Sequence, residues 1–185
     1  MVILVIVGLV VYFGTRFLKK LLLGKSDSPW IIQESKNAKN SLIISQDPKN
    51  ENSITLYRSD NSESGAEFTY SFWILIMDLS TYKVGEWKHI FHKGTNIENK
   101  QLDYSYWTNI ESEIPEQSIG VWMHPYSNNL RICAKTEDNI IEYTDIEDIP
   151  QNESMHISIT ISNKTLNVYM NTKLVTTKVF GNKIS

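Results

Sequence analysis

Residues 155 to 162 read MHISITIS, and this stretch decides the fold because apolar and polar side chains alternate through it. Every second residue from Ile157 to Ile161 is an isoleucine, and the residues between them are serine or threonine. A period of two is what a strand with one buried and one solvated face requires. The segment TLNVYMN, residues 165–171, repeats the pattern after the turn sequence SNKT, so the two segments predict an antiparallel hairpin.

Period-two patterning also dominates the residues upstream of this hairpin. The segment FTYSFWILIMD, residues 68–78, is apolar on both sides, which predicts a central strand covered on both faces. Further strands are predicted at 42–46, 53–58, 86–93, 119–123, 129–135 and 139–144. Many short strands separated by turn signals predict an all-β protein, an antiparallel β-sandwich or jelly roll.

The N-terminal segment is uninterrupted apolar sequence from Val2 to Gly14 and then contains basic residues. A hydrocarbon core about 30 Å thick needs roughly 20 helical residues. Counting to Leu23 reaches that length, because the basic side chains share one helical face and can extend toward the headgroups. A cleaved signal peptide is the alternative, but no Lys or Arg precedes the run and no small-residue cleavage site follows it. We predict a transmembrane anchor at 1–24, a juxtamembrane linker at 25–41 and a β-sandwich at 42–185.

Charge and cysteine content narrow the function classes. The formal net charge is −3 and the basic residues are scattered, which argues against a nucleic-acid partner. The single cysteine, Cys133, excludes a disulfide within the chain, and its place in the strand LRICAK predicts an inert side chain. The side of the membrane stays open. Basic residues after the span favour the interior, whereas glycosylation sequons at Asn152 and Asn163 favour the exterior.

Two histidines in GEWKHIFHKG, residues 85–94, invite a metal-binding interpretation. In a regular strand, neighbouring side chains alternate between the two faces. His89 and His92 are three positions apart, so regular alternation predicts that they point to opposite faces and do not bind one metal ion.

Four segments together resemble the laminin G-like jelly rolls of the concanavalin A-like lectin/glucanase superfamily: EFTYSFWILIMD, GEWKHIFHKG, IGVWMHPYSNNLRI and MHISITISNKTLNVYMNTKLV. They are especially similar to membrane-anchored versions encoded by large DNA viruses. The resemblance covers about residues 42–180 and implies a fold rather than an activity. The family continues into further closing strands, so the predicted sandwich lacks its final strands. The family's hairpin turn reads Asn-Gly, whereas this chain has Asn171 and Thr172, which should cost on the order of 1 kcal/mol or force another turn type.

The glucanases of this superfamily use paired carboxylates that share one face of a strand. The nearest segment here is EYTDIED, in which Glu142 lies three residues before Asp145 and therefore points away from it. The resemblance thus implies that this protein is not an enzyme. A degenerate glycoside hydrolase, acting through Asp145 and Glu147, is the least favoured alternative.

Ligand binding is the function that the fold favours. The long segment 98–118 does not show the alternation of a core strand, and it carries tyrosine and tryptophan residues whose rings could stack on a sugar. The candidate ligand-binding residues are Tyr104, Tyr106 and Trp107 in this segment, with Tyr126 and Asn128 as a second group. No cofactor is firmly predicted. Calcium, which laminin G-like domains often hold, remains open, with Asp60, Asp103 and Asp138 as loop candidates.

These observations predict a membrane-anchored, non-catalytic recognition module that binds a glycan or a protein ligand. It would be a single-pass protein of a host or virion membrane. A structural or assembly membrane protein of a virion is the alternative, because the basic residues next to the span favour an interior orientation.

Overall fold

The computed structural model describes residues 8–9, 11–15, 28–56, 59, 66–96 and 116–184. The chain divides into two compact units, residues 1–58 and 59–185. In the first unit, residues 8–9 and 11–15 are helical and residues 28–56 form turns and irregular structure. Within the described ranges, we find no helix with the length and apolarity needed to cross a bilayer. The predicted transmembrane anchor at 1–24 lies largely outside those ranges.

The strands predicted at 42–46 and 53–58 are wrong where the structure describes them, since 42–46 and 53–56 are irregular. Turn chemistry competes with strand formation here. The side chain of Asp47 accepts a hydrogen bond from the backbone N–H of Lys49, and its carbonyl accepts another from Asn50. One backbone bond, from Ile54 to Ser45, joins the two segments.

The described residues of the second unit form eight strands: β1 Glu67–Leu75, β2 Lys88–Gly94, β3 Gln117–Met123, β4 Leu130–Lys135, β5 Ile141–Ile146, β6 Ser154–Ser162, β7 Thr165–Met170 and β8 Lys173–Val179. They form two four-stranded sheets with the orders β1-β6-β7-β8 and β2-β3-β4-β5. All strand pairs are antiparallel. The prediction of an all-β antiparallel sandwich is confirmed, and the two sheets are compatible with a jelly roll.

The core lies between the inner faces of the two sheets. The isoleucines of β6 and alternate residues of β7 are buried on one side, and alternate residues of β3 and β4 are buried on the other. The burial pattern of β1 differs from the prediction. Phe72 and Ile74 pack against the core, but Trp73 and Leu75 are exposed, so β1 is covered on one face and not on both. In a two-layer sandwich only one face of each strand is covered. Because β1 has apolar residues on both faces, those on its outer face stay exposed.

The β7–β8 hairpin has a two-residue turn with positive φ at both central positions. Its two central residues, Asn171 and Thr172, have φ values of 46° and 71°. Positive φ at both positions matches the two-residue turn that suits the twist of a hairpin. Thr172 therefore places a β-branched side chain in a left-handed conformation, which costs on the order of 1 kcal/mol.

Candidate functional site

Several residues predicted from the sequence lie outside the described part of the chain: Tyr104, Tyr106, Trp107, Asp60 and Asp103. Asp138 lies in the turn between β4 and β5 and accepts a hydrogen bond from the hydroxyl of Thr136. Among the described residues, no three His, Cys, Asp or Glu side chains come together in a way that could hold a metal ion.

Tyr126 and Asn128 both lie in the connection between β3 and β4, but the structure gives them different roles. The amide of Asn128 donates to the carbonyl of Ile149 at 2.9 Å, and the N–H of Ile149 donates back to the Asn128 carbonyl at 3.0 Å. Asn128 therefore joins two loops. The Tyr126 side chain is 68% exposed and presents its ring at the surface.

Beside this connection, Trp87, Arg131, Tyr143 and Asp145 form what we call the arginine cluster. Arg131 donates two hydrogen bonds to Asp145, at 2.7 and 2.6 Å, and its side chain is only 12% exposed. Its guanidinium carbon lies 3.7 Å from the Tyr143 ring centroid and 4.6 Å from that of Trp87. Bidentate pairing and stacking on both rings engage the planar cation fully.

The carboxylates considered for glycoside hydrolysis have structural partners. Asp145 is paired with Arg131, as described above. Glu142 accepts the backbone N–H of Gly181 at 2.7 Å and forms an ion pair with Lys178 at 3.5 Å. The contacts of Glu142 tie β5 to β8 and to the residues that follow it. Glu147, the other carboxylate of that hypothesis, follows β5 and is exposed.

The two histidines of β2 lie on one face, and the prediction that they point to opposite faces is wrong. A β-bulge is the reason. His89 is opposite Trp122 on β3, and Phe91 is opposite the next residue, Val121, so Ile90 is an extra residue on β2. The extra residue shifts the alternation by one position, and both histidines therefore lie on the outer face. The Nε2 of His89 lies 2.7 Å from the Nδ1 of His92.

Hydrogen bonding limits the tautomers that this pair can adopt. The Nε2 of His92 lies 2.7 Å from the carbonyl oxygen of Thr95, which can only accept, so this nitrogen carries a proton. In the neutral pair, His89 then donates from Nε2 to the Nδ1 of His92. Burial, together with the neighbouring His92 and Lys83, lowers the pKa of His89 to about 4. His89 is therefore neutral at physiological pH.

The outer face of the β2-β3-β4-β5 sheet is closed around a buried polar group. Gln117, Trp122 and Cys133 are fully buried there, and the indole of Trp122 donates to the Gln117 carbonyl oxygen at 2.9 Å. Gly120 makes room for this amide, because a Cβ at that position would lie 1.9 Å from the Gln117 oxygen. Burial raises the pKa of the Cys133 thiol to about 12, which fits the inert side chain predicted for it.

The outer face of the β1-β6-β7-β8 sheet is open, with exposed apolar residues at Leu75, Leu174 and Val179. We call its polar part the hydroxyl face. It consists of Thr69, Ser71 and Trp73 on β1, His156, Ser158 and Thr160 on β6, Asn167 and Tyr169 on β7, and Thr177 on β8. The strand register sets these residues in rows across the sheet. The set contains no ammonium or guanidinium group, and Glu67, two residues before Thr69 on the same side of β1, is a carboxylate next to it.

Trp73 is the main aromatic surface of the hydroxyl face. Its side chain is 67% exposed, and the His156 ring lies 5.1 Å away between centroids. The His156 Nε2 is 2.7 Å from the Ser71 hydroxyl, which fixes the imidazole beside the indole. Two strands along, the Thr177 hydroxyl donates to Asn167 at 2.7 Å. The face therefore offers one broad apolar ring among many small hydrogen-bonding groups.

Sequence reasoning missed this surface because it treated each strand alone. The signal was available in the alternate residues Thr69, Ser71 and Trp73 of β1, which mirror the polar side of MHISITIS. Pairing these two strands antiparallel would have placed Trp73 beside His156.

A scan against models of protein families gives no match for this chain, and a search of curated proteins gives none either. The assignment of a two-sheet β-sandwich therefore depends on the strands and their pairing alone.

Proposed function

We propose that this β-sandwich is a non-catalytic recognition module that binds a neutral glycan on the hydroxyl face. The observation that carries the proposal is Trp73, an indole 67% exposed on an open sheet face. An exposed tryptophan has a large apolar surface, and nothing in the core requires one at this position. Aromatic rings of this kind stack on the apolar faces of sugar rings.

The polar groups around Trp73 support a glycan as the ligand. Sugar hydroxyls both donate and accept hydrogen bonds, and serine, threonine and asparagine side chains do the same. His156 is fixed beside the indole by Ser71, so a donor or acceptor stands at the edge of the stacking surface. Preorganised side chains lose little entropy when a ligand binds.

The absence of a cationic side chain in the hydroxyl-face set favours a neutral glycan over an anionic one. Recognition of sulfated or sialylated sugars depends on cationic side chains such as arginine. The one acidic neighbour on β1 is Glu67, which accepts a hydrogen bond from Ser162 at 3.2 Å and would repel an anion.

We propose that the sandwich belongs to the laminin G-like branch of the concanavalin A-like superfamily and resembles versions encoded by large DNA viruses. We also propose that residues 1–24 anchor it as a single-pass protein of a host or virion membrane.

Binding of a protein, as in a structural or assembly role, is a second candidate for a specific reason. Leu75 and Met77 are 51% and 70% exposed and follow Trp73 along the same side of the chain. Together they give an apolar strip, which is a feature of protein-binding surfaces. A glycan would depend on Trp73 and the hydroxyl face, whereas a protein would also depend on this strip.

The test is binding of the full-length chain to an array of neutral, sialylated and sulfated glycans. We expect binding to neutral glycans, and Trp73→Ala should weaken it at least about tenfold, which corresponds to roughly 1.4 kcal/mol. Tyr126→Ala is a matched control, because Tyr126 is about equally exposed but lies in the connection between two strands of the other sheet. It should bind as the unchanged chain does.

Three results would contradict the proposal. One is a silent array with folded protein. Another is full glycan binding by Trp73→Ala together with loss of glycan binding in Tyr126→Ala or in the double variant Tyr106→Ala and Trp107→Ala. That result would place the site at the residues predicted from the sequence. The third is an equal loss of glycan binding in Leu75→Ser and Trp73→Ala, which would mean that the apolar strip contributes as much to the site as the indole on the hydroxyl face.

A further inference from the structure

The histidine pair of β2 has an arrangement that neither the fold nor the hydroxyl face requires. The β-bulge at Ile90 brings the Nε2 of His89 to within 2.7 Å of the Nδ1 of His92. Each nitrogen has an in-plane lone pair when it is not protonated. Two imidazole nitrogens this close share either a proton or a metal ion.

We propose that His89 and His92 together bind one transition-metal ion of the Cu²⁺, Ni²⁺ or Zn²⁺ class in place of the proton that they share. The ligand atoms are the Nε2 of His89 and the Nδ1 of His92, and water completes the coordination. In the neutral pair, the His89 proton moves from Nε2 to Nδ1 as the ion binds, so no proton is released. In a singly protonated pair, one proton is released to solvent.

The distance between the two nitrogens is close to what such an ion requires. A bond between zinc and a histidine nitrogen is about 2.0–2.1 Å, so two nitrogens at right-angled to tetrahedral positions stand roughly 2.9–3.4 Å apart. The rings at 2.7 Å need to separate by less than about 1 Å. Rotation of the His92 side chain, which is only partly buried, can supply this movement.

The second ring nitrogen of His92 makes the kind of hydrogen bond that metal-binding histidines make. A ligating histidine usually donates its other ring N–H to a carbonyl or carboxylate, which fixes the ring orientation. His92 donates from Nε2 to the Thr95 carbonyl at 2.7 Å, which leaves Nδ1 as the ligand. Thr95 is itself held, since its backbone N–H donates to the Glu116 carbonyl at 3.0 Å.

The surroundings of His89 favour these ions over calcium. Across the sheet, His89 packs on the Trp122 ring with centroids 4.7 Å apart. Among the described residues, no three His, Cys, Asp or Glu side chains come together there, so the several oxygen ligands that calcium needs are not supplied.

The test is titration of the full-length chain with copper sulfate after treatment with a chelator. Trp122 is a built-in reporter, because Cu²⁺ at His89 should quench the fluorescence of an indole in contact with that ring. We expect saturable quenching and an electron paramagnetic resonance spectrum with couplings to two nitrogens. His92→Gln should lower the affinity at least about tenfold, the loss typical even for an outer partner of a ligand. His156→Gln, on the other sheet, should leave it unchanged.

Circular dichroism establishes that each variant is folded before titration. A second measurement avoids fluorescence, since Zn²⁺ should raise the melting temperature of the unchanged chain and not of His92→Gln. Equal copper affinity in the unchanged chain and His92→Gln would overturn the proposal. So would the absence of saturable binding in the folded unchanged chain, which would show that the pair shares a proton only.

Discussion

The outer faces of the two sheets are built by the same strand alternation but have opposite character. On the hydroxyl face, Trp73 is 67% exposed among small hydroxyl side chains. On the other sheet, Trp122 is fully buried and donates its indole N–H to the buried amide of Gln117. The contrast shows that the presence of a tryptophan does not by itself tell whether the residue supports the fold or binds a ligand. A tryptophan whose polar atom is satisfied inside the protein supports the fold, and one that lies open beside polar groups is available to a ligand.

The strongest expected contrast is between Trp122→Ala and Trp73→Ala. Removing the buried indole leaves a large cavity and takes the stronger of two donors from the Gln117 carbonyl oxygen, which keeps only the Cys133 thiol. We therefore expect the free energy of unfolding to fall by about 3–5 kcal/mol. Removing the exposed indole should change it by no more than about 0.5 kcal/mol. Urea denaturation of both variants measures the difference. Equal losses would mean that the two faces do not differ in the way described.

Acid should weaken the closed face through His89. Its pKa is about 4 in the folded chain, against an ordinary value of 6.5. Between these values the unfolded chain binds more protons, so stability is fully present above pH 6.5 and is lost as the pH falls to about 4. The loss should reach up to about 3 kcal/mol. Denaturation with a chelator present should show this slope, and His89→Gln should remove it. An unchanged slope in the variant would assign the effect to other groups.

The arginine cluster should contribute less. Asp145→Asn removes the charge from a bidentate pair whose Arg131 partner is 12% exposed, so we expect a loss of about 2 kcal/mol in the free energy of unfolding. Glu116→Gln is the control, since Glu116 forms an ion pair with Lys135 and its carboxylate is far more exposed than that of Asp145. Its change should be undetectable by the same denaturation experiment. Equal effects would show that the stacked guanidinium adds nothing.

The smallest expected effect is a gain at the β7–β8 turn. Thr172 has a φ of 71°, a conformation that glycine adopts without strain. Thr172→Gly should therefore raise the free energy of unfolding by about 1 kcal/mol. Thr176→Gly, within β8, should lower it, because glycine weakens the interior of a strand. A loss at both positions would contradict the strain assigned to Thr172.

The sequence predicted the sandwich because burial in β6 and β7 follows from alternation within each strand. It failed at β1, because apolar residues on both sides of a strand do not reveal how many layers cover it. It failed at His89 and His92, because a bulge depends on the partner strand and inverts the faces from that residue onward. The hydroxyl face was beyond reasoning about single strands, because Trp73 and His156 are 83 residues apart and become neighbours only through sheet register.

The proposed role of the open face can be measured by fluorine nuclear magnetic resonance. The full-length chain labelled with 5-fluorotryptophan has five signals, assigned by single substitutions with phenylalanine. It is titrated with the neutral oligosaccharide that binds best on the array. We expect the Trp73 signal to shift in a saturable way while the Trp122 and Trp87 signals stay in place. A shift of Trp107 or Trp122 with Trp73 unchanged would contradict binding at the hydroxyl face.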